Sequence, residues 1–105
     1  MAFSTYQYAR FVSIGVANSL QTQYTVPAST QALIKDISAC NQTGIAATLT
    51  LNMPSGVSLF NGMSIPPNTT VHWTGLVVLG AGEIIQSNSG TSVAIHLIIS
   101  GQTGQ

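Results

Sequence analysis

Apolar and polar residues alternate along most of this chain. In "ATLTLNM", Leu49, Leu51 and Met53 point one way and Thr48, Thr50 and Asn52 the other, the period-two mark of a strand with one buried face. The same alternation places Val71, Trp73, Val77 and Leu79 on one face of "TVHWTGLVVL". It groups Val93, Ile95, Leu97 and Ile99 in "SVAIHLIIS", and Val12, Ile14 and Val16 in "RFVSIGVA". Turn-forming residues separate the runs: Asn18-Ser19, Pro27-Ala28-Ser29, Gln42-Thr43-Gly44, Pro54-Ser55-Gly56, Pro66-Pro67-Asn68, Gly80-Ala81-Gly82 and Ser89-Gly90. The pattern predicts eight strands, at about 10–17, 20–26, 32–41, 46–53, 58–65, 69–79, 83–88 and 92–100. Short strands at this spacing predict an all-β protein, a single antiparallel β-sandwich of jelly-roll type. A length of 105 residues fits one such domain over 1–105. Alternation assigns faces; it does not assign strand order.

Two stretches depart from simple alternation. In "ALIKDISAC", Ile34 and Ile37 stand three apart with Lys35 and Asp36 between them. A β-bulge there turns both isoleucines inward and both charges outward. In "LVVLGAGEIIQ", an apolar run meets Gly80 and Gly82. A dinucleotide-binding loop needs a third glycine and a following helix. Ile85 occupies the third position, and "EIIQSNSG" is too short for a helix before the next turn. Gly80 and Gly82 are therefore expected to supply positive φ angles at a tight corner.

Composition narrows the function. Only 4% of the residues are charged: Arg10, Lys35, Asp36 and Glu83, with zero net charge. A typical soluble domain has about a quarter. No basic patch exists to neutralise phosphates, so nucleic acid is not an expected partner. Neither is a membrane, since no apolar run approaches a spanning helix. "MAFSTYQYARF" lacks the charged start and apolar core of a signal peptide. Cys40 is the only cysteine and is read as a small buried side chain.

The supply of chemical groups is thin. A zinc site would draw on His72, His96, Cys40 and Asp36 or Glu83, and no two of these have ligand spacing. A nucleophilic triad would rest on Asp36, with no nucleophile elbow in the sequence. The expectation is a non-enzyme with no catalytic residue, no cofactor and no metal.

Surfaces carry the remaining signal. Phe3, Tyr6, Tyr8 and Phe11 put four of the seven aromatics in the first eleven residues. Residues 1–9 read as a docking arm, the alternative being a first strand of the sandwich. Leu76 and Val78 share the outward face of His72, and Ile98 that of His96. Phe3, Tyr6, Tyr8, Leu76, Val78 and Ile98 are the expected interface residues. Trp73 reads as core; a sugar-stacking platform at Trp73 would instead indicate a carbohydrate-binding module.

From about Thr25 to Gly101 the chain resembles small virion proteins of tailed bacteriophages. The resemblance rests on Thr25–Ala28 ("TVPA"), the Ile-rich Ile34–Asn41 ending in "CN", Ala47–Met53, Pro66–Thr70, the corner Leu79–Ile85 and Ser100-Gly101. It implies a β-sandwich structural component of the virion, such as a head decoration (cement) protein, or a tail or neck accessory of the same fold. It also implies the major capsid protein and copies of the chain itself as partners, as in a homo-oligomer such as a trimer. It carries over no binding or catalytic residue.

Overall fold

The structure, a computed structural model, describes residues 6–54 and 57–104, with the Tyr6 side chain excluded. Eight strands run in order: β1 (Tyr6–Gly15), β2 (Gln21–Thr25), β3 (Gln31–Asn41), β4 (Ala47–Met53), β5 (Val57–Ile65), β6 (Thr69–Leu79), β7 (Ile84–Ser89) and β8 (Ile95–Gly104). They form two four-stranded sheets, β1-β8-β3-β6 and β2-β7-β4-β5, with every pairing antiparallel. The first strand pairs with the last, the second with the seventh, the third with the sixth and the fourth with the fifth. This nesting is a long hairpin rolled into two sheets, the jelly roll that the alternating pattern predicts.

The inner faces meet in one apolar core. Ile34, Ile37, Leu97 and Ile99 from the first sheet are fully buried with Leu49, Leu51, Ile65 and Ile85 from the second. Burying a side chain of this size stabilises the fold by about 1.5–3 kcal/mol. Alternation succeeds fully on β4, where Leu49, Leu51 and Met53 are buried. It fails at Val93, which is exposed with φ 61° in the turn before β8; Ala94 takes the buried place. Ile14 lies opposite the buried Leu97 on the inward face. It remains half-exposed because β1 is an edge strand.

One node in the core is polar. Asn41 is wholly buried at the end of β3. Its Nδ2 donates to the carbonyls of Ile45 (2.8 Å) and Ile65 (3.0 Å). Its Oδ1 accepts from the Thr43 amide (2.9 Å) and hydroxyl (2.7 Å). Every hydrogen-bonding position of the side-chain nitrogen is used, so the burial cost is offset. The bonds tie β3, its following turn and the end of β5 together.

A line of irregularity crosses the first sheet. β1 takes two steps, Arg10 to Val12, where β8 takes one, from Ser100 to Ile99. β3 takes two steps, Ile34 to Asp36, where β8 takes one, from Gly101 to Ser100. β6 takes three, Val77 to Thr74, where β3 takes two. The middle break is the bulge expected from "ALIKDISAC": Ile34 and Ile37 are buried, while Lys35 is exposed and Asp36 half-buried. At its centre the backbones close in. A Cβ on Gly101 would lie 1.8 Å from the Leu33 carbonyl oxygen, so only glycine fits.

Two stability predictions follow from these contacts. Gly101→Ala forces the β3 and β8 backbones apart and should cost at least about 2 kcal/mol in urea unfolding. Gly44→Ala, where an added Cβ meets nothing within 4 Å, is the control and should change little. Ser87 Oγ is buried without a hydrogen-bond partner among the described residues. Ser87→Ala removes that unsatisfied hydroxyl and should raise stability by about 1 kcal/mol, read as a higher urea midpoint at unchanged slope.

Candidate functional site

The bulges build a groove on the outer face of the first sheet. A bulge bends its strand and deepens the local twist, and here two of them flank β8 on either side of Ser100. In β1 the added residue, Phe11, turns toward the core and packs on Tyr24, ring centroids 4.9 Å apart. Arg10 is left facing outward, opposite Ser100. In β3 the added residue, Lys35, faces outward beside Asp36, also opposite Ser100. Between them β8 contributes only the small Ser100 and Gly101. The result is a depression of about 640 Å³ lined by Tyr8, Ala9, Arg10, Lys35, Asp36, Ser100 and Gly101. Three of the four charged residues of the chain meet there.

The charges are not paired as sequence proximity suggests. Asp36 Oδ1 lies 2.6 Å from His72 Nε2 on β6, with both side chains about half exposed. Among the described residues this is the only such contact, and neither Arg10 nor Lys35 is paired with a carboxylate. The other acid is occupied elsewhere: Glu83 Oε1 accepts from the Gly80 amide at 2.6 Å.

That bond answers the question posed by the glycine corner. The Glu83 amide donates to the Gly80 carbonyl at 3.1 Å, and the Gly82 amide to the Val26 carbonyl at 2.9 Å. Gly82 has φ +83°, but Gly80 is not in the positive region, which corrects the expectation for that residue. Strand β7 follows in place of a helix, so the helix N-terminus that would hold a phosphate is missing.

The remaining candidates separate. Cys40 and His96 are register partners on β3 and β8, His72 sits opposite Ser38, and Glu83 lies beyond the far end of β6. Among the described residues no three such side chains gather as a metal-binding group. Cys40 is half-buried on the outward side, not a core residue as its type suggests. Trp73 lies on the inward side opposite Ile37 and packs against the core. Its ring covers Gly75, where a Cβ would come within 2.8 Å of the indole. The indole is half-buried.

Four of the six expected interface residues are exposed on one face of the first sheet. Tyr8, Leu76, Val78 and Ile98 are 86%, 60%, 56% and 42% exposed, all on the outer side of β1-β8-β3-β6. The docking arm is corrected in extent. β1 begins at Tyr6 and pairs with β8 from Gly104 onward, so Tyr6–Ala9 belong to the sheet. Phe3 and the Tyr6 side chain lie outside the described residues. Sequence reasoning missed the groove itself and a second apolar set, Leu20, Ile45 and Val93, exposed on loops at one end of the sandwich.

The Asp36–His72 contact is solvent-exposed, so it should contribute little. A double-mutant cycle with Asp36→Asn and His72→Gln should give a coupling below about 1 kcal/mol. A coupling of several kcal/mol would mark a shielded, functionally poised pair.

No known protein-family model matches the sequence, and neither does any curated protein.

Proposed function

We propose that this protein is a non-enzymatic structural component of a tailed-phage virion, most specifically a head decoration (cement) protein. Its partners are the major capsid protein and copies of itself, and its location is the assembled particle. The observation that carries the assembly reading is the outward face of β1-β8-β3-β6, which exposes Leu76 and Val78 on β6, Ile98 on β8 and Tyr8 on β1. Several large apolar side chains exposed on one sheet face suit a contact surface. The scarcity of charge acts in the same direction, because a neutral chain has little electrostatic resistance to association. Apolar contact contributes about 25 cal/mol per Å² removed from water, so a footprint of roughly 800 Å² per partner suffices for specific assembly. The resemblance of Thr25–Gly101 to virion proteins supplies the phage context. The jelly roll is compatible with it, being an architecture used by viral capsid and lectin domains, although fold alone does not assign function.

Ile98→Asp and Val78→Asp test this reading. Each should leave thermal unfolding within about 1 kcal/mol of wild type, as expected at exposed positions. Each should lower oligomerisation or particle occupancy at least about 10-fold, the effect of roughly 1.4 kcal/mol at a contact. Wild-type protein that stays monomeric and leaves virions unoccupied would overturn the proposal. Occupancy of a few copies at the tail or neck, in place of hundreds on the head, would assign the accessory role instead.

A further inference from the structure

The groove across β1, β8 and β3 has features that an apolar assembly face does not need. We propose that it is a binding site for a small acidic sugar, a hydroxylated ring carrying a carboxylate. The inference is independent of the virion reading.

Four observations converge on that chemistry. The first is size: about 640 Å³ lies within the usual range for small-molecule sites, roughly 300–1,000 Å³, and exceeds the needs of a lone ion. The second is charge. Arg10 and Lys35 are the only two cations of the chain, and both line this one depression. They stand on strands either side of β8, about 9–10 Å apart at the backbone by strand spacing. Side chains of their length can close from both sides on an anion held over Ser100. Arg10 offers the planar fork that suits a carboxylate, and Lys35 adds a mobile point charge. Asp36 reduces this charge but pairs with neither cation, since its Oδ1 is hydrogen-bonded to His72.

The third observation is the wall. Tyr8 lines the groove with its ring almost wholly exposed. An aromatic face of this kind packs on the apolar C–H side of a sugar ring while its phenol stays in water. The fourth is the mixture of polar groups. The Ser100 hydroxyl and the remaining oxygen of Asp36 are suited to ligand hydroxyls. The same Asp36 repels a phosphate dianion, and two cations are too few to track a nucleic-acid backbone. The groove therefore fits one negative charge on a polyol better than a concentrated anion.

The test is a titration of isotopically labelled protein followed by amide NMR. The probes are sodium glucuronate, N-acetylneuraminate, methyl glucoside, inorganic phosphate and a short peptide carrying one aspartate. The two acidic sugars should shift the amides of Arg10, Lys35, Ser100 and Gly101 saturably, with a dissociation constant on the order of 1 mM. Methyl glucoside should bind at least about 10-fold more weakly, lacking the charge-assisted bonds. Arg10→Gln and Lys35→Gln should each weaken the acidic sugars about 10-fold, and Tyr8→Ala by roughly 5-fold. Because Arg10, Lys35 and Tyr8 are exposed, the spectra of these variants should otherwise match wild type. Arg10→Lys keeps the charge without the fork and should fall between. Absence of saturable shifts with either acidic sugar overturns the proposal. So does equal binding of methyl glucoside, which removes the role of the cations. Tighter binding of phosphate or of the peptide also overturns it, and reassigns the groove to an inorganic anion or to a protein side chain.

Discussion

The closest constraint in this protein is the approach of β8 to β3 at Gly101. The Leu33 carbonyl occupies the space a side chain would take, and the strands can meet there only because β8 has nothing to displace. β3 bulges at this point to keep its isoleucines inward, and β1 bulges one level away on the opposite side of β8. Lost ladder regularity is the cost, and a bent sheet with a hollow outer face is the consequence. Core packing and groove geometry thus share one cause.

The core around this line is ordinary in composition and exacting in its polar contacts. Branched aliphatic side chains fill the space between the sheets, where close packing makes each methylene matter. Asn41 is a polar exception, and it is tolerated because four hydrogen bonds satisfy its side chain. Its role is to hold a turn against the end of another strand, which apolar contact does without directional preference. Ser87 shows the opposite outcome, a buried hydroxyl with no partner among the described residues.

Charge is used sparingly and in one place. Glu83 closes its own turn, and Asp36 is held by His72. Arg10 and Lys35 are left facing solvent above Ser100, on the sheet face that also exposes Leu76, Val78, Ile98 and Tyr8. Exposed apolar side chains and a hollow with two cations thus share one sheet face. In general, apolar contact supplies binding energy without direction, and charge supplies selectivity.

The sequence by itself determined the strands, the faces of most of them, and the bulge at Lys35. These are local properties: alternation has period two, turn residues act within a few positions, and a phase break between Ile34 and Ile37 admits a single inexpensive repair. It also brought Leu76, Val78 and Ile98 to the outer surface, since each stands out of phase with buried neighbours on its own strand. Local reasoning failed where backbone geometry overrides alternation, as at Val93, whose left-handed conformation breaks the phase just before β8. It failed at Gly80 because a corner of four residues needed only one positive φ. The extent of β1 was hidden too: "YQYA" has no aliphatic alternation, and it becomes strand only because β8 offers a ladder from Gly101 to Gly104. Strand order, and with it the groove, was decided by tertiary structure alone. Arg10 and Lys35 are far apart in the chain and become neighbours because β8 inserts between β1 and β3. That insertion pairs the last strand with the first and third, a choice set by the mutual burial of two whole sheet faces, which no short window of sequence contains.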